Sequence, residues 1–67
     1  MAITLKAARV NRNMTQSEAA EKLGISKDTL RNWEQGKSFP DVKAIKQIET
    51  LYGLSYNEIS FLPSHSA

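Results

Sequence analysis

The stretch Leu23-Gly24-Ile25-Ser26 constrains this chain more than any other. Helical spacing of apolar residues runs up to Leu23 and resumes after Ser26. Two helices joined by three residues can meet only at a steep angle, as a helix-turn-helix. Such a corner needs a small side chain where the helices cross, and Ala20 supplies it. It needs a residue that accepts positive φ, and Gly24 does so without a Cβ penalty. Apolar groups must seal it on both sides; Leu23, Ile25, Leu30 and Trp33 are spaced to do that.

The flanking sequence extends the pattern to five predicted helical segments, an all-α fold. The first covers about Thr4 to Arg12, with Leu5, Ala8 and Arg9 on one side, and Asn13 suits its left-handed end. In Thr15-Gln16-Ser17-Glu18 the threonine caps a second helix to Leu23 while Glu18 reaches back, a capping box. Ser26 caps a third helix to about Gln35, with Leu30 and Trp33 inward, and Gly36 closes it. After the loop Lys37-Ser38-Phe39-Pro40, Asp41 caps a fourth helix, Val42 to Tyr52, whose stripe is Ile45, Ile48, Leu51 and Tyr52. Ser55 with Glu58 repeats the box logic and predicts a short fifth helix holding Ile59 and Leu62. No strand pattern is visible. Residues 1–62 are expected to form one domain and residues 63–67 a flexible tail.

Composition narrows the function. The 67 residues contain no cysteine, which excludes disulfides and thiolate metal sites. The single histidine, His65, falls in the tail, and no Gly-rich phosphate loop, paired-carboxylate arrangement or metal-ligand spacing occurs. Neither catalysis nor a metal or cofactor is expected. No apolar run approaches the ~20 residues of a membrane span, and nothing resembles a signal peptide, so a soluble, cytoplasmic protein is expected. Nine Lys+Arg against seven Asp+Glu give a net charge of +2 and a pI near 9.2, a mild basic excess.

The stretch MTQSEAAEKLGISKDTLRNWEQGKSFPD resembles the Cro/C1-type, XRE-like helix-turn-helix domains of phage repressors and small bacterial regulators. The carriers are Leu5 with Lys6 and Arg9, Gln16, Ala20, Gly24, Ile25-Ser26 and the Trp33-Glu34-Gln35-Gly36 close. Ala19 stands where family members have Leu and Trp33 where they have an aliphatic residue, a volume-conserving exchange. The resemblance implies a compact five-helix, lambda-repressor-like domain that places its third helix in the DNA major groove. Ser26, Lys27, Asp28, Arg31 and Asn32 would then be the base readers. Lysine donates to guanine O6/N7, asparagine pairs with adenine, and a carboxylate accepts from cytosine N4. Asp28 also has a plainer use, because an acid in the first turn complements the helix dipole.

Phosphate contacts are expected from Gln16, Asn11, Arg12, Thr29, Lys37 and Ser38, whereas Lys6 and Lys22 read as solvated surface charges. The resemblance further implies a partly buried ion pair, Arg9 with Glu34, tying the first helix to the third. One such domain makes a small footprint on DNA, so a homodimer on an inverted-repeat operator is expected. Leu54, Tyr56, Ile59, Phe61 and Leu62 are the candidate dimer patch. Occlusion of a promoter in a bacterial or phage-infected cell would make the chain a repressor, and a protein antagonist is a possible further partner. The competing reading is a helix-turn-helix interaction module, or an antitoxin-type regulator, whose main partner is a protein.

Overall fold

The computed structural model describes residues 2–61. Leu62 and the tail at 63–67, with the boundary between them, lie outside the described residues. Four α-helices carry the fold: α1 (Leu5–Asn11), α2 (Gln16–Leu23), α3 (Lys27–Glu34) and α4 (Val42–Tyr52).

Each helix starts where a side-chain oxygen can satisfy a backbone N–H that has no partner within the helix. The Thr4 hydroxyl accepts from Ala7 at 3.0 Å, Ser26 from Thr29 at 3.1 Å, and the Asp41 carboxylate from Ala44 at 2.8 Å. At α2 the exchange is reciprocal: Thr15 accepts from the Glu18 N–H at 3.1 Å, and Glu18 accepts from the Thr15 N–H at 2.9 Å. These bonds hold the Glu18 carboxyl below its ordinary range, the Thr15 backbone N–H contributing most. Gly24 ends α2 at φ 71, and Ile25 N–H returns to the Ala20 carbonyl at 3.0 Å. A Cβ at Gly24 would meet nothing within 4 Å, so the left-handed backbone alone selects glycine there.

The capped helices enclose a core of Leu5, Ala8, Ala19, Ala20, Leu23, Leu30, Trp33, Ile48, Tyr52 and Ile59. The small Ala19-Ala20 face lets α2 pack against both α3 and α4. Ile45 and Leu51, expected inward with Ile48, are only half-buried and line surface depressions. An eleven-residue helix flanked mainly on one side buries a narrower stripe than its apolar pattern offers.

The end of the chain differs from the expected fifth helix. Tyr56–Glu58 form one 3-10 turn, and Ile59–Ser60 (β2) then extend alongside Ile3–Thr4 (β1) as a parallel pair. Ile59 faces Ile3 in that register and is 5% exposed. A helical course had been expected because Ser55 and Glu58 carry a capping signature. The Glu58 carboxylate does accept from the Ser55 N–H at 2.9 Å, which holds its carboxyl below the ordinary range. Sealing the core with β-branched Ile59 against β1 ends the turn after three residues. Two-residue strands are too short to leave an alternation in the sequence.

Candidate nucleic-acid interface

Helix α3 has two chemically opposite faces. Leu30 and Trp33 are buried beneath it, while Ser26, Lys27, Asp28 and Arg31 are exposed and Asn32 is half-buried. The Ser26 hydroxyl that caps the helix also shares a 2.9 Å hydrogen bond with the Thr29 hydroxyl. The start of α3 is thereby fixed by two contacts within its own first turn. Asp28 does more than complement the helix dipole: its Oδ1 lies 3.2 Å from Arg31 Nη2, with both side chains largely solvated. Two of the expected base readers thus pair with each other along the exposed face.

What fixes α3 to the rest of the molecule is a buried polar tie. Arg9 Nε donates to Glu34 Oε2 at 2.8 Å and Nη2 to Oε1 at 3.3 Å, with the two side chains 9% and 3% exposed. A third guanidinium hydrogen bond, Nη1 to the Met14 carbonyl at 2.8 Å, serves the turn between α1 and α2. The Gln16 amide N–H completes the group, donating to Glu34 Oε1 at 3.0 Å. Bidentate geometry with further hydrogen bonds is what makes a buried pair tolerable. Helix α1, the N-terminus of α2 and the C-terminus of α3 are joined at this one carboxylate. Tyr52 lies within its field; burial, and then Glu34, push its hydroxyl up to about 12.

Around Gln16 the surface forms a depression of about 440 Å3 lined by Lys6, Arg9, Thr15, Gln16, Ser17 and Lys27. It collects the first turn of α2 and lysines from α1 and α3. Gln16 spends one amide N–H on Glu34 and keeps its second donor and its carbonyl. Lys6, expected to be a solvated charge, stands on this depression beside Lys27. Its sequence signal was a lone lysine on a helix, with nothing to separate it from other surface charges.

The remaining phosphate candidates are not all at this surface. Asn11 is exposed at the end of α1, Lys37 and Ser38 are exposed in the loop after α3, and Thr29 is half-buried. Arg12 is engaged elsewhere: its Nε donates to the Tyr52 carbonyl at 3.0 Å, at the C-terminus of α4. A cation at that end satisfies a free helix carbonyl and complements the dipole. Arg12 is otherwise exposed, and this hydrogen bond occupies its Nε.

The candidate dimer patch changes in membership. Ile59 belongs to the protein's own core and leaves the patch. Leu54 and Phe61 are half-buried against that core, and Leu62 lies outside the described residues. Tyr56 is 54% exposed and stacks on Phe61, with ring centroids 5.5 Å apart. Beside the pair runs an apolar groove of about 660 Å3 that includes Phe39, Pro40 and Ile45. Phe39 is 61% exposed and neighbouring Val42 70%. The signal for Phe39 in the sequence is an aromatic residue placed next to a proline in a loop.

Among the described residues, no group of His, Cys, Asp or Glu could hold a metal ion, and no helix is long and apolar enough to cross a membrane. A helix-turn-helix family model matches residues 5–59. The chain is 31% identical over 55 residues to the HTH-type transcriptional activator BcrR of Enterococcus faecalis, covering 82% of this chain and 27% of that protein. It is 41% identical over 51 residues to the HTH-type transcriptional regulator ImmR of Bacillus subtilis, covering 76% and 40%. To the cryptic phage CTXphi transcriptional repressor RstR of Vibrio cholerae it is 29% identical over 51 residues, covering 76% and 46%. The chain therefore spans less than half the length of these relatives. No solved structure matches it.

Proposed function

Because the chain belongs to the Cro/C1-type helix-turn-helix family of DNA-binding transcription regulators, we propose that it binds double-stranded DNA sequence-specifically through α3. One observation carries this reading. The polar start of α3 is presented on a helix whose other face is buried and whose far end is tied to α1 and α2 through Glu34. A reading head needs that rigidity, since base-edge hydrogen bonds discriminate only when their donors are held in register. Lys27, Arg31 and Asn32 supply donors, and Asp28 an acceptor. The depression at Gln16, with Lys6 and Lys27, takes a backbone phosphate on the N-terminal amides of α2. Lys37 and Ser38 take a second phosphate.

The regulator works as a homodimer on an inverted repeat, with half-sites about one helical turn apart. The Tyr56–Phe61 pair and the neighbouring Phe39 groove form the contact between copies. Its apolar lining suits self-association of a chain carrying net charge +2, because no charge is buried against its own copy. Bound over a promoter in a bacterial or phage-infected cytoplasm, the dimer represses by excluding polymerase.

A mobility-shift assay against DNA upstream of the protein's own gene, run at several salt concentrations, tests the reading. Saturable binding is expected, with log K falling against log salt by roughly 0.9 for each phosphate neutralised. Site preference that is unchanged in both Lys27→Ala and Asn32→Ala would overturn the assignment of α3 as the reader. A species that sediments as a monomer at every concentration, and on DNA, would overturn the dimer.

A further inference from the structure

The molecule carries a second basic surface, apart from α3 and the depression at Gln16. Lys22, at the end of α2, and Lys43 and Lys46, on α4, surround a shallow depression of about 480 Å3 with Gln47, Thr50 and Leu51. On α4 the four polar residues fall at helical spacing on one outward face, and half-buried Leu51 supplies an apolar floor. Thr50 turns its hydroxyl hydrogen back to the Lys46 carbonyl at 3.1 Å, leaving oxygen lone pairs outward.

The lysines here form no ion pair among the described residues. Six of the seven carboxylates are occupied elsewhere, and the seventh, exposed Glu21 beside Lys22, forms no ion pair among the described residues. Glu34 holds Arg9, and Asp28 pairs with Arg31. Glu18, Asp41 and Glu58 are bonded at the starts of their helical segments. Glu49 accepts from the Tyr56 N–H at 2.7 Å, at the other end of α4. Glu18 is one turn from Lys22 and feels its charge, but no described carboxylate lies within ion-pair distance of Lys22, Lys43 or Lys46. Three cations without an ion-pair partner around an apolar floor raise the local potential and suit a partner that brings both anions and hydrocarbon.

Position separates this face from the DNA-reading one. No residue lines both this depression and the one at Gln16, although Lys43 and Gln47 also border a depression that reaches Gly24, Ile25 and Trp33. Lys22 is six residues along α2 from Gln16, about 9 Å at 1.5 Å per residue. A phosphate backbone would use the lysines but not the Leu51 floor, whereas an amphipathic acidic helix uses both. We infer that the Lys22–Lys43–Lys46 face docks an acidic, amphipathic segment of a partner protein. The chain would then hold DNA at one surface and a protein at another, and partner binding does not depend on the DNA reading being right.

The test titrates the isotope-labelled chain with a synthetic peptide of repeated Glu-Glu-Leu-Leu, and with the same peptide carrying Gln for Glu. Saturable NMR shifts at Lys22, Lys43, Lys46, Gln47, Thr50 and Leu51 are expected with the acidic peptide alone. The triple variant Lys22→Gln, Lys43→Gln, Lys46→Gln, checked for retained helicity, should bind it about tenfold more weakly, the sum of three solvated ion pairs. Its affinity for operator DNA should change by less than about threefold, because none of the three lysines neutralises a phosphate. Shifts elsewhere, or no saturable binding, overturn the proposal. So does a triple variant whose DNA salt slope drops by about 3, which would assign the lysines to the duplex.

Discussion

The two ion pairs of this molecule have the same chemistry and opposite uses. Arg9–Glu34 is buried, spans two helices and has hydrogen bonds to Met14 and Gln16 around it. Asp28–Arg31 is solvated, lies within one helix and has no further partner among the described residues. The first cannot be opened without leaving a charge in a low-dielectric setting. The second can open into water at small cost, since exposed pairs contribute only ~0–1 kcal/mol. Burial, rather than charge, separates the pair that ties the scaffold from the pair that stays in solvent.

Four measurements can break or sharpen that contrast. The largest effect is expected from Arg9→Ala, which strands the Glu34 carboxylate. Chemical denaturation should show a loss of about 3–5 kcal/mol. A loss below about 0.5 kcal/mol, the range of a solvated pair, would erase the distinction. Next in size, Lys27→Ala should cost ~1–3 kcal/mol of discrimination between operator and a base-substituted operator if lysine reads an edge. A uniform weakening on every sequence would move Lys27 to the phosphates. Asp28→Ala should change unfolding stability by no more than about 0.5 kcal/mol while altering site preference. A larger stability change would show that this pair, too, is structural.

The last comparison is a protonation midpoint at a cap, which serves as the control for both pairs. The Thr15 hydrogen bonds lower the Glu18 carboxyl, so its contribution is complete above the unfolded-state value of ~4.3. That contribution declines as pH falls toward the depressed folded value and is lost below it. An NMR titration of Glu18 should give a midpoint under the unfolded value, and Thr15→Ala should bring it back. An unshifted midpoint would mean the capping box is open in solution.

Much of this was readable from residue types because the signals are local. Thr15 with Glu18, Ser26 and Asp41 declare helix starts within one turn, and α2 and α4 begin and end where those signals place them. The corner at Gly24 was legible for the same reason. Illegible parts depend on distant partners. Ile59 reads as one more apolar residue near a capping signal, and only its register with Ile3 makes it a strand and a core residue. The engagement of Arg12 by Tyr52 spans 40 positions and follows from where α4 ends in space. Lys6 and Lys27 share a depression only after the helices have packed.

The pairing of Ile3–Thr4 with Ile59–Ser60 has a consequence beyond sealing the core. It brings the polypeptide back to its own starting corner, so that the path in and the path out run side by side in the same direction. Among the described residues, entry at Ile3 and exit at Ser60 lie on adjacent strands. A force applied between them would load a two-residue clasp before it reached the helices. This layout lets a compact unit be spliced into different polypeptides without asking the host to span it.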